Sequence, residues 1–166
     1  EPDIHAVTKL NLRGLKFGGQ QVAFLAATTG KEAIELLRRT PDVGVILLDV
    51  VMETDSAGLD ACRTIRTELG NRFVRILLRT GQPGRAPEKQ TIDEYDIDGY
   101  LPKAELSSNK LYSSVRTALK AYSELRELER HRAVLGQLNE CALKLHSFAP
   151  LGETLRFAPY PHDFSV

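Results

Sequence analysis

Short apolar runs alternate with amphipathic stretches over the first two thirds of the chain, and this alternation constrains the fold more than any other feature. Apolar runs of about four to eight residues between turn residues are typical of buried strands. Strands that alternate with helices through short links predict a parallel sheet covered on both faces. The predicted strands are 21–27, 43–48, 73–78 and 99–101, and the predicted helices are 3–13 with Asp3 as N-cap, one capped by Thr29, one over 59–69, and 87–95.

Charge and cysteine usage exclude several classes of protein. The 166 residues carry 22 Lys plus Arg and 22 Asp plus Glu, a balance that argues against a nucleic-acid-binding chain. No run of membrane length and no signal peptide is found, so we expect no membrane partner. Cys62 and Cys141 match no metal or redox spacing, and two reduced thiols suit a cytoplasmic protein.

The chain changes character from Ser107 onward, where an uninterrupted helical pattern runs to about Ser147. Such a helix of about 40 residues would be ~60 Å long. Its apolar stripe predicts a coiled-coil seam and a homodimer through the C-terminal helix, while the alternative is a helix that folds back onto its own domain. The stripe consists of Leu111, Val115, Ala118, Tyr122, Leu125, Leu128, Leu135 and Ala142, with Arg132 and Asn139 at polar positions within it.

Three polar residues follow the ends of three successive predicted strands: Asp49, Thr80 and Lys103. In a parallel sheet these ends lie on one edge, where open α/β folds place their ligand chemistry. The carboxylate can act as a nucleophile and form an aspartyl phosphate. The hydroxyl can donate a hydrogen bond to a phosphoryl oxygen, and the ammonium can pair with the added charge. The set therefore predicts a site that handles phosphoryl groups.

With these residues the chain resembles the receiver domains of two-component response regulators over about residues 1–122. The matching segments are 45–52 (VILLDVVM), 76–81 (ILLRTG) and 98–103 (DGYLPK). The resemblance implies a doubly wound, five-stranded parallel sheet of the flavodoxin/CheY-like class. Within this family the chain most resembles receivers that precede an HD-GYP cyclic-di-GMP phosphodiesterase, although the chain contains no HD-GYP motif.

The resemblance also implies roles for individual residues. Asp49 would be the phosphoacceptor for a sensor histidine kinase or a phosphotransfer protein, Thr80 the switch hydroxyl and Lys103 the phosphate-pairing lysine. Tyr100 would be the aromatic switch. The cofactor would be Mg²⁺, with Asp49 and the backbone carbonyl of Val51 among its ligands. No enzymatic activity is expected beyond phosphotransfer to Asp49 and autodephosphorylation.

The sequence departs from the receiver pattern at its N-terminus. Receivers carry an acidic metal-binding pair at the end of their first strand, and here that pair would fall just before Glu1. The first strand is missing as well. Because Mg²⁺ requires near-octahedral oxygen ligation, either the chain is shortened or the site is degenerate.

Three domain segments and three functions follow as hypotheses. We expect a receiver over 1–122, a helical signalling linker over 123–148, and the start of a truncated output segment or an irregular tail over 149–166. The main hypothesis is a phosphorylated receiver that signals through its C-terminal helix to an output domain. The alternatives are a non-phosphorylated pseudo-receiver that serves as a dimerisation scaffold, and a flavodoxin-like ligand-binding domain or enzyme. The last of these lacks a recognisable phosphate-cradling loop.

Overall fold

A computed structural model describes residues 2–81 and 88–147 of the chain. The five strands are β1 (Lys16–Phe17), β2 (Gln20–Gln21), β3 (Val45–Asp49), β4 (Arg75–Thr80) and β5 (Gly99–Pro102). The helices are α1 (Pro2–Asn11), α2 (Gly30–Arg39), α3 (Ala57–Thr67), α4 (Glu88–Tyr95) and α5 (Ser108–Ser147), with a short 3₁₀ helix at Lys103–Glu105.

A three-stranded parallel sheet in the order β3-β4-β5 is the centre of the fold. Its register pairs Asp49 with Arg79 and Thr80 with Pro102, so the strands end on a common edge. The α/β class, the parallel sheet and the long C-terminal helix are confirmed.

Two apolar clusters cover the two faces of this sheet, because side chains alternate between faces along each strand. The first cluster packs α2 and α3 onto one face, with Cys62 and Ile65 completely buried. The second cluster packs the end of α1 and the first turns of α5 onto the other face through Leu12, Leu77 and Leu111. Both faces are therefore covered, as the strand composition predicts.

The predicted parallel strand over 21–27 is not found among the residues that the structure describes. Only Gln20–Gln21 of the predicted strand 21–27 is extended in a ladder, and it pairs with β1 in a small antiparallel hairpin. In the flavodoxin-like strand order 2-1-3-4-5, a central strand separates the second strand from the third. No described residue supplies that strand. Beyond the bond from the N–H of Val22 to the carbonyl of Leu15 at 3.2 Å, residues 22–27 therefore join no ladder, and one edge of β3 has no strand partner among the described residues.

Local turn and cap chemistry explains where several elements begin. Gly18 and Gly19 both have positive φ, +56° and +79°, as a two-residue hairpin turn requires. Thr29 is the N-cap of α2, as predicted, and accepts a hydrogen bond from the backbone N–H of Glu32 at 3.1 Å. Asp3, in contrast, lies inside α1 rather than at its cap.

The chain divides into two compact units, Glu1–Glu127 and Leu128–Val166. Within the first unit, Leu111, Val115 and Ala118 are buried in the second apolar cluster. These three residues therefore belong to the core of their own unit, and their assignment to a dimer seam is wrong. In the second unit α5 continues to Ser147 and exposes Leu128, Leu135, Leu138 and Leu143. The predicted segment 149–166 lies outside the described residues. None of the described helices combines the length and apolarity needed to cross a membrane.

Candidate functional site

The backbone around Asp49 is held by the loop that follows β3. The N–H of Val50 donates to the carbonyl of Arg79 at 2.8 Å, which extends the ladder by one residue. The N–H of Gly58 then donates to the carbonyl of Val50 at 3.0 Å, which ties the start of α3 to the strand end. A Cβ at position 58 would overlap the backbone carbonyl of Asp49. Gly58 therefore permits this close approach.

Asp49 lies between two cations at the edge of the sheet. Its carboxylate oxygens lie 2.9 Å from Nε and 3.2 Å from Nη2 of Arg79. The Nζ of Lys103 lies 3.5 Å from the Oδ2 of Asp49. The side chains of Asp49 and Arg79 are only 15% and 8% exposed, so water screens this pair weakly.

Arg79 also joins the site to the first helix. Its Nη1 donates to the Oγ1 of Thr8, on α1, at 3.0 Å. One guanidinium group thus contacts the strand-end carboxylate and a helix hydroxyl at the same time.

Thr80 and Tyr100 are both buried beside the site, with 3% and 7% exposure. Side-chain alternation along β4 places Ile76 and Leu78 in the first cluster, and Thr80 falls on that same face, opposite Arg79. Tyr100 belongs to the first cluster as well, so its ring already points inward. The role of Tyr100 as an aromatic switch stays a prediction.

The loop after Asp49 presents two further side chains of interest. Val51 is 45% exposed, two residues beyond the carboxylate. Glu53 accepts from the backbone N–H of Gly30 at 3.1 and 3.3 Å through its two oxygens. A carboxylate at a helix N-terminus is favourable, so Glu53 anchors this loop to α2.

The described residues do not by themselves form a Mg²⁺ site. They offer one carboxylate, Asp49, whose two oxygens are both engaged by Arg79, together with the backbone carbonyl of Val51. No cluster of three or more His, Cys, Asp or Glu suited to a metal occurs among the described residues. The acidic pair expected just before Glu1 lies outside the sequence.

The charges of the site favour an added anion. Arg79 and Lys103 carry two positive charges against the single negative charge of Asp49. A phosphoryl group adds about −1.5 to −2 at neutral pH. Phosphorylation removes the carboxylate charge and adds the phosphoryl charge. The total negative charge of the site then approaches the total positive charge of Arg79 and Lys103.

The structure brings Asp49 and Lys103 together as the sequence predicts, and it adds Arg79, which sequence reasoning missed. The signal was present: Arg79 ends an otherwise apolar stretch, Ile76-Leu77-Leu78, inside a buried strand. A charge in such a strand is rare unless it is paired. Thr80 lies at the predicted strand end, and its part in the site stays a prediction.

Comparison with known proteins gives one curated relative and a group of solved structures. No family model matches the chain. Over 147 residues the chain is 40% identical to the 3′3′-cGAMP-specific phosphodiesterase 2 of Vibrio cholerae serotype O1, a match that covers 89% of this chain and 28% of that protein. The chain therefore spans little more than a quarter of its relative.

The solved structures establish the fold. A response regulator receiver domain protein from Clostridium thermocellum matches with a TM-score of 0.60 at 20% identity, covering 75% of this chain and 92% of that one. The receiver domain of the Francisella response regulator 1452 matches with a TM-score of 0.58 at 21% identity, covering 72% and 90%. The chain has the receiver-domain fold, and the resemblance found in its sequence is confirmed at that level.

The curated relative corrects one expectation. We expected no enzymatic activity beyond the handling of the phosphoryl group on Asp49, and the relative is a phosphodiesterase, an enzyme. Sequence motifs within this chain could not reveal this, because the match covers 28% of the relative. The narrower resemblance, to receivers that precede a cyclic-dinucleotide phosphodiesterase, agrees with the relative's name.

Proposed function

We propose that this chain, which has the receiver-domain fold, accepts a phosphoryl group on Asp49 from a sensor histidine kinase or a phosphotransfer protein. A carboxylate oxygen of Asp49 attacks the phosphorus of a phosphohistidine, and a P–O bond forms as the P–N bond breaks. The imidazole leaves with the bonding electron pair and takes up a proton. Water later attacks the phosphorus and releases inorganic phosphate.

The observation that carries this proposal is the position of Asp49 between two cations. Lys103 lies 3.5 Å from the carboxylate and is 37% exposed, so it can reach an incoming phosphoryl group. Preorganised positive charge stabilises a transferring phosphoryl group more in a partly buried site than in water. A scaffold without phosphorylation would not need two cations around one carboxylate, and this favours the receiver over the pseudo-receiver.

The test is direct phosphorylation of the chain by acetyl phosphate in the presence of Mg²⁺, followed by mapping of the adduct by mass spectrometry. We expect the label on Asp49 and none in Asp49→Asn. The matched control is Asp60→Asn, which alters an exposed carboxylate on α3. A label elsewhere, or a label that survives Asp49→Asn, would refute the assignment, and the absence of any label would support the pseudo-receiver.

Mg²⁺ enters the proposal through residues outside this sequence. A form extended before Glu1 by an apolar strand ending in two acidic residues should label faster than the 166-residue chain, and only when Mg²⁺ is present. Equal labelling of the two forms would show that the acidic pair is not needed.

Thr80 and Tyr100 are proposed to carry the phosphorylated state to the surface. The Thr80 hydroxyl is buried at the end of β4, and a charged phosphoryl group attracts a donor hydroxyl. Thr80→Ala should still accept phosphate yet lose the phosphate-induced amide shifts over 87–120. Thr80→Ser, which keeps the hydroxyl, should retain them. Shifts that persist unchanged in Thr80→Ala would refute the coupling.

The second half of α5 is proposed to pair with a second copy of the chain, as a parallel coiled coil. The buried stripe of α5 alternates in spacings of four and three residues. Beyond Leu125 this pattern reaches Glu129, Arg132, Gly136 and Asn139, none of which can form an apolar seam. The apolar stripe therefore does not continue in the same heptad positions, and the seam predicted through Arg132 and Asn139 is not the best one available.

A different heptad register gives a better seam, formed by Leu128, His131, Leu135, Leu138 and Ala142. Leu128, Leu135 and Leu138 are 64%, 66% and 61% exposed, so all three are available to a partner. In this register Glu127 would face Arg132 of the partner subunit, an opposite-charge pair at the flanking positions. The earlier register would instead set Glu124 against Glu129 of the partner subunit, so charge favours the new one.

Two matched pairs of variants test the seam by sedimentation equilibrium. Leu138→Asp should abolish the dimer, whereas Leu143→Asp, at an equally exposed leucine outside the seam, should not. His131→Leu should strengthen association and Arg132→Leu should not. The reverse pattern in the second pair would restore the earlier seam, and a monomeric parent chain at tens of micromolar would refute the dimer.

The curated relative supports a proposal about the larger protein. We infer that a chain of this kind regulates a cytoplasmic phosphodiesterase that hydrolyses a cyclic dinucleotide, with α5 as the signalling helix. The support is 40% identity over 147 residues to an enzyme of that class. In a polypeptide that joins this chain to such a catalytic region, acetyl phosphate should change the hydrolysis rate, and Asp49→Asn should remove that response. An acetyl-phosphate response that is intact in Asp49→Asn would contradict it.

A further inference from the structure

Arg79 is the residue at this site whose role the proposed function leaves open. The guanidinium approaches Asp49 with two nitrogens and Thr8 with a third, and the side chain is 8% exposed. We propose that Arg79 is a second phosphoryl-binding cation, and that its bond to Thr8 transmits the state of Asp49 to α1. This inference rests on the proposed phosphorylation of Asp49.

The present contacts of Arg79 cannot survive phosphorylation of Asp49. Arg79 engages both oxygens of Asp49, at 2.9 Å and 3.2 Å. Once one oxygen is bonded to phosphorus, the carboxylate loses its charge and the guanidinium loses at least one of its two contacts. The guanidinium must therefore rearrange when Asp49 is modified.

The phosphoryl group is the natural new partner of the Arg79 guanidinium. An arginine guanidinium presents its donors in a planar fork that matches phosphoryl oxygens, and the resulting bonds are charge-assisted. The alternative, a buried guanidinium without an anion, would be costly. Arg79 should therefore follow the charge from the carboxylate to the phosphoryl oxygens, beside Lys103.

This movement of the Arg79 guanidinium also affects α1. The Nη1 of Arg79 donates to the Oγ1 of Thr8 at 3.0 Å, and Thr8 is half-buried on α1. A guanidinium is rigid, so a shift of one end of the fork moves the other end. Loss or rearrangement of the Thr8 bond would loosen α1 against the sheet, on the face opposite to that of Thr80.

The experiment labels the chain with acetyl phosphate and Mg²⁺ and measures two quantities: the initial rate of phosphate incorporation on Asp49, and the hydrogen exchange of residues 2–11. Arg79→Gln should slow incorporation by about tenfold, as expected for loss of a hydrogen-bonded charge. Arg79→Lys, which keeps the charge without the fork, should lie between. The matched control is Arg75→Gln, on the same strand, whose guanidinium pairs with Asp98 at 2.7 Å instead.

Thr8→Val separates transmission from a merely structural role. It should label at the parental rate and unfold at the parental temperature, yet lose the phosphate-induced change in exchange over 2–11. Faster labelling of Arg79→Gln would show that Arg79 blocks Asp49 rather than binding the phosphoryl group. Parental labelling of Arg79→Gln, or an exchange response retained in Thr8→Val, would overturn the inference as well.

A measurement without phosphate keeps the two proposals distinguishable. The Nε–H resonance of Arg79 should shift in Asp49→Asn and stay in place in Asp60→Asn. If it does not shift in Asp49→Asn, the pair is absent and the inference fails whatever the labelling shows. If it shifts but the parent chain is never labelled on Asp49, the proposed function fails and the phosphoryl-binding role of Arg79 fails with it.

Discussion

At the scale of single residues, the two cysteines are chemically opposite. Cys62 is fully buried between α3 and the sheet, and burial raises the pKa of its thiol to about 12. The thiolate is the reactive form, so at neutral pH Cys62 stays protonated and inert. Cys141 is exposed on α5. We expect Ellman's reagent to titrate one thiol in the native chain and two after denaturation, and Cys141→Ser should remove the native reaction. A native Cys62 that reacts as fast as Cys141 would contradict this.

Val51 gives a second prediction at this scale, on the assumption that Asp49 is phosphorylated. The side chain two residues beyond the acceptor is 45% exposed, and valine cannot orient an attacking water molecule. Dephosphorylation of the parent chain should therefore be slow, and Val51→Asn and Val51→Glu should shorten the lifetime of the phosphorylated state. Val134→Asn, at a valine of similar exposure in the second unit, should leave it unchanged. Unchanged lifetimes in both Val51 variants would assign control to another group.

Residue-scale prediction from sequence succeeded where position along a strand decides the outcome. Asp49 and Lys103 follow strand ends, and parallel strands bring such ends together. The sequence did not reveal Arg79 as a site residue, because its partner Asp49 lies on a different strand. The two residues meet only through the register of β3 with β4, which is a long-range contact. The burial of Tyr100 likewise results from packing, which no local pattern encodes.

At the scale of elements, two glycines should respond in opposite directions to alanine. Gly58→Ala places a methyl group on the carbonyl of Asp49, so it should destabilise the chain by about 1–3 kcal/mol. Gly136 lies in α5 with no atom within 4 Å of an added Cβ, so Gly136→Ala should stabilise that helix by about 1 kcal/mol. Urea unfolding measures the first change, and circular dichroism during heating the second. A neutral Gly58→Ala would show that the loop can move away from β3.

Helices were predicted better than strands, for a physical reason. A helix satisfies its backbone hydrogen bonds locally, so the patterns of α2 to α5 were sufficient to place them. A strand needs a neighbouring strand, and residues 22–27 pair with none among those described. The long apolar stripe of α5 predicts one seam, because core positions and coiled-coil seam positions are both apolar. Only burial distinguishes Leu111, in the core, from Leu128, on the surface.

At the scale of the whole molecule, the first compact unit should be independent. Residues 1–127 contain both apolar clusters, whereas the proposed seam begins at Leu128. A chain ending at Glu127 should therefore unfold in one cooperative transition, close to that of the 166-residue chain, and should remain monomeric. Calorimetry and sedimentation equilibrium check the two statements. A truncated chain that dimerises as well as the parent would place the interface in the first unit.

The class of the molecule could be predicted from its sequence, and its larger context could not. Alternating elements and three strand-end residues were sufficient for a receiver-type fold. The match covers 28% of the curated relative, so the sequence of this chain carries no information on the remainder of that protein. Composition and periodicity give information only about the residues present in this sequence.

The edge of β3 has a consequence for the behaviour of the chain in concentrated solution. An open strand edge presents unpaired N–H and C=O groups that can template pairing with another molecule. Residues 43–48 (VGVILL) combine high β-propensity with no charge and no proline, the composition of segments that form cross-β fibrils. The 166-residue chain should therefore aggregate on storage, with a rise in thioflavin T fluorescence that is delayed in the form extended before Glu1 by an apolar strand. Because this edge of β3 has no strand partner among the described residues, the rate of aggregation should respond little to changes in α5.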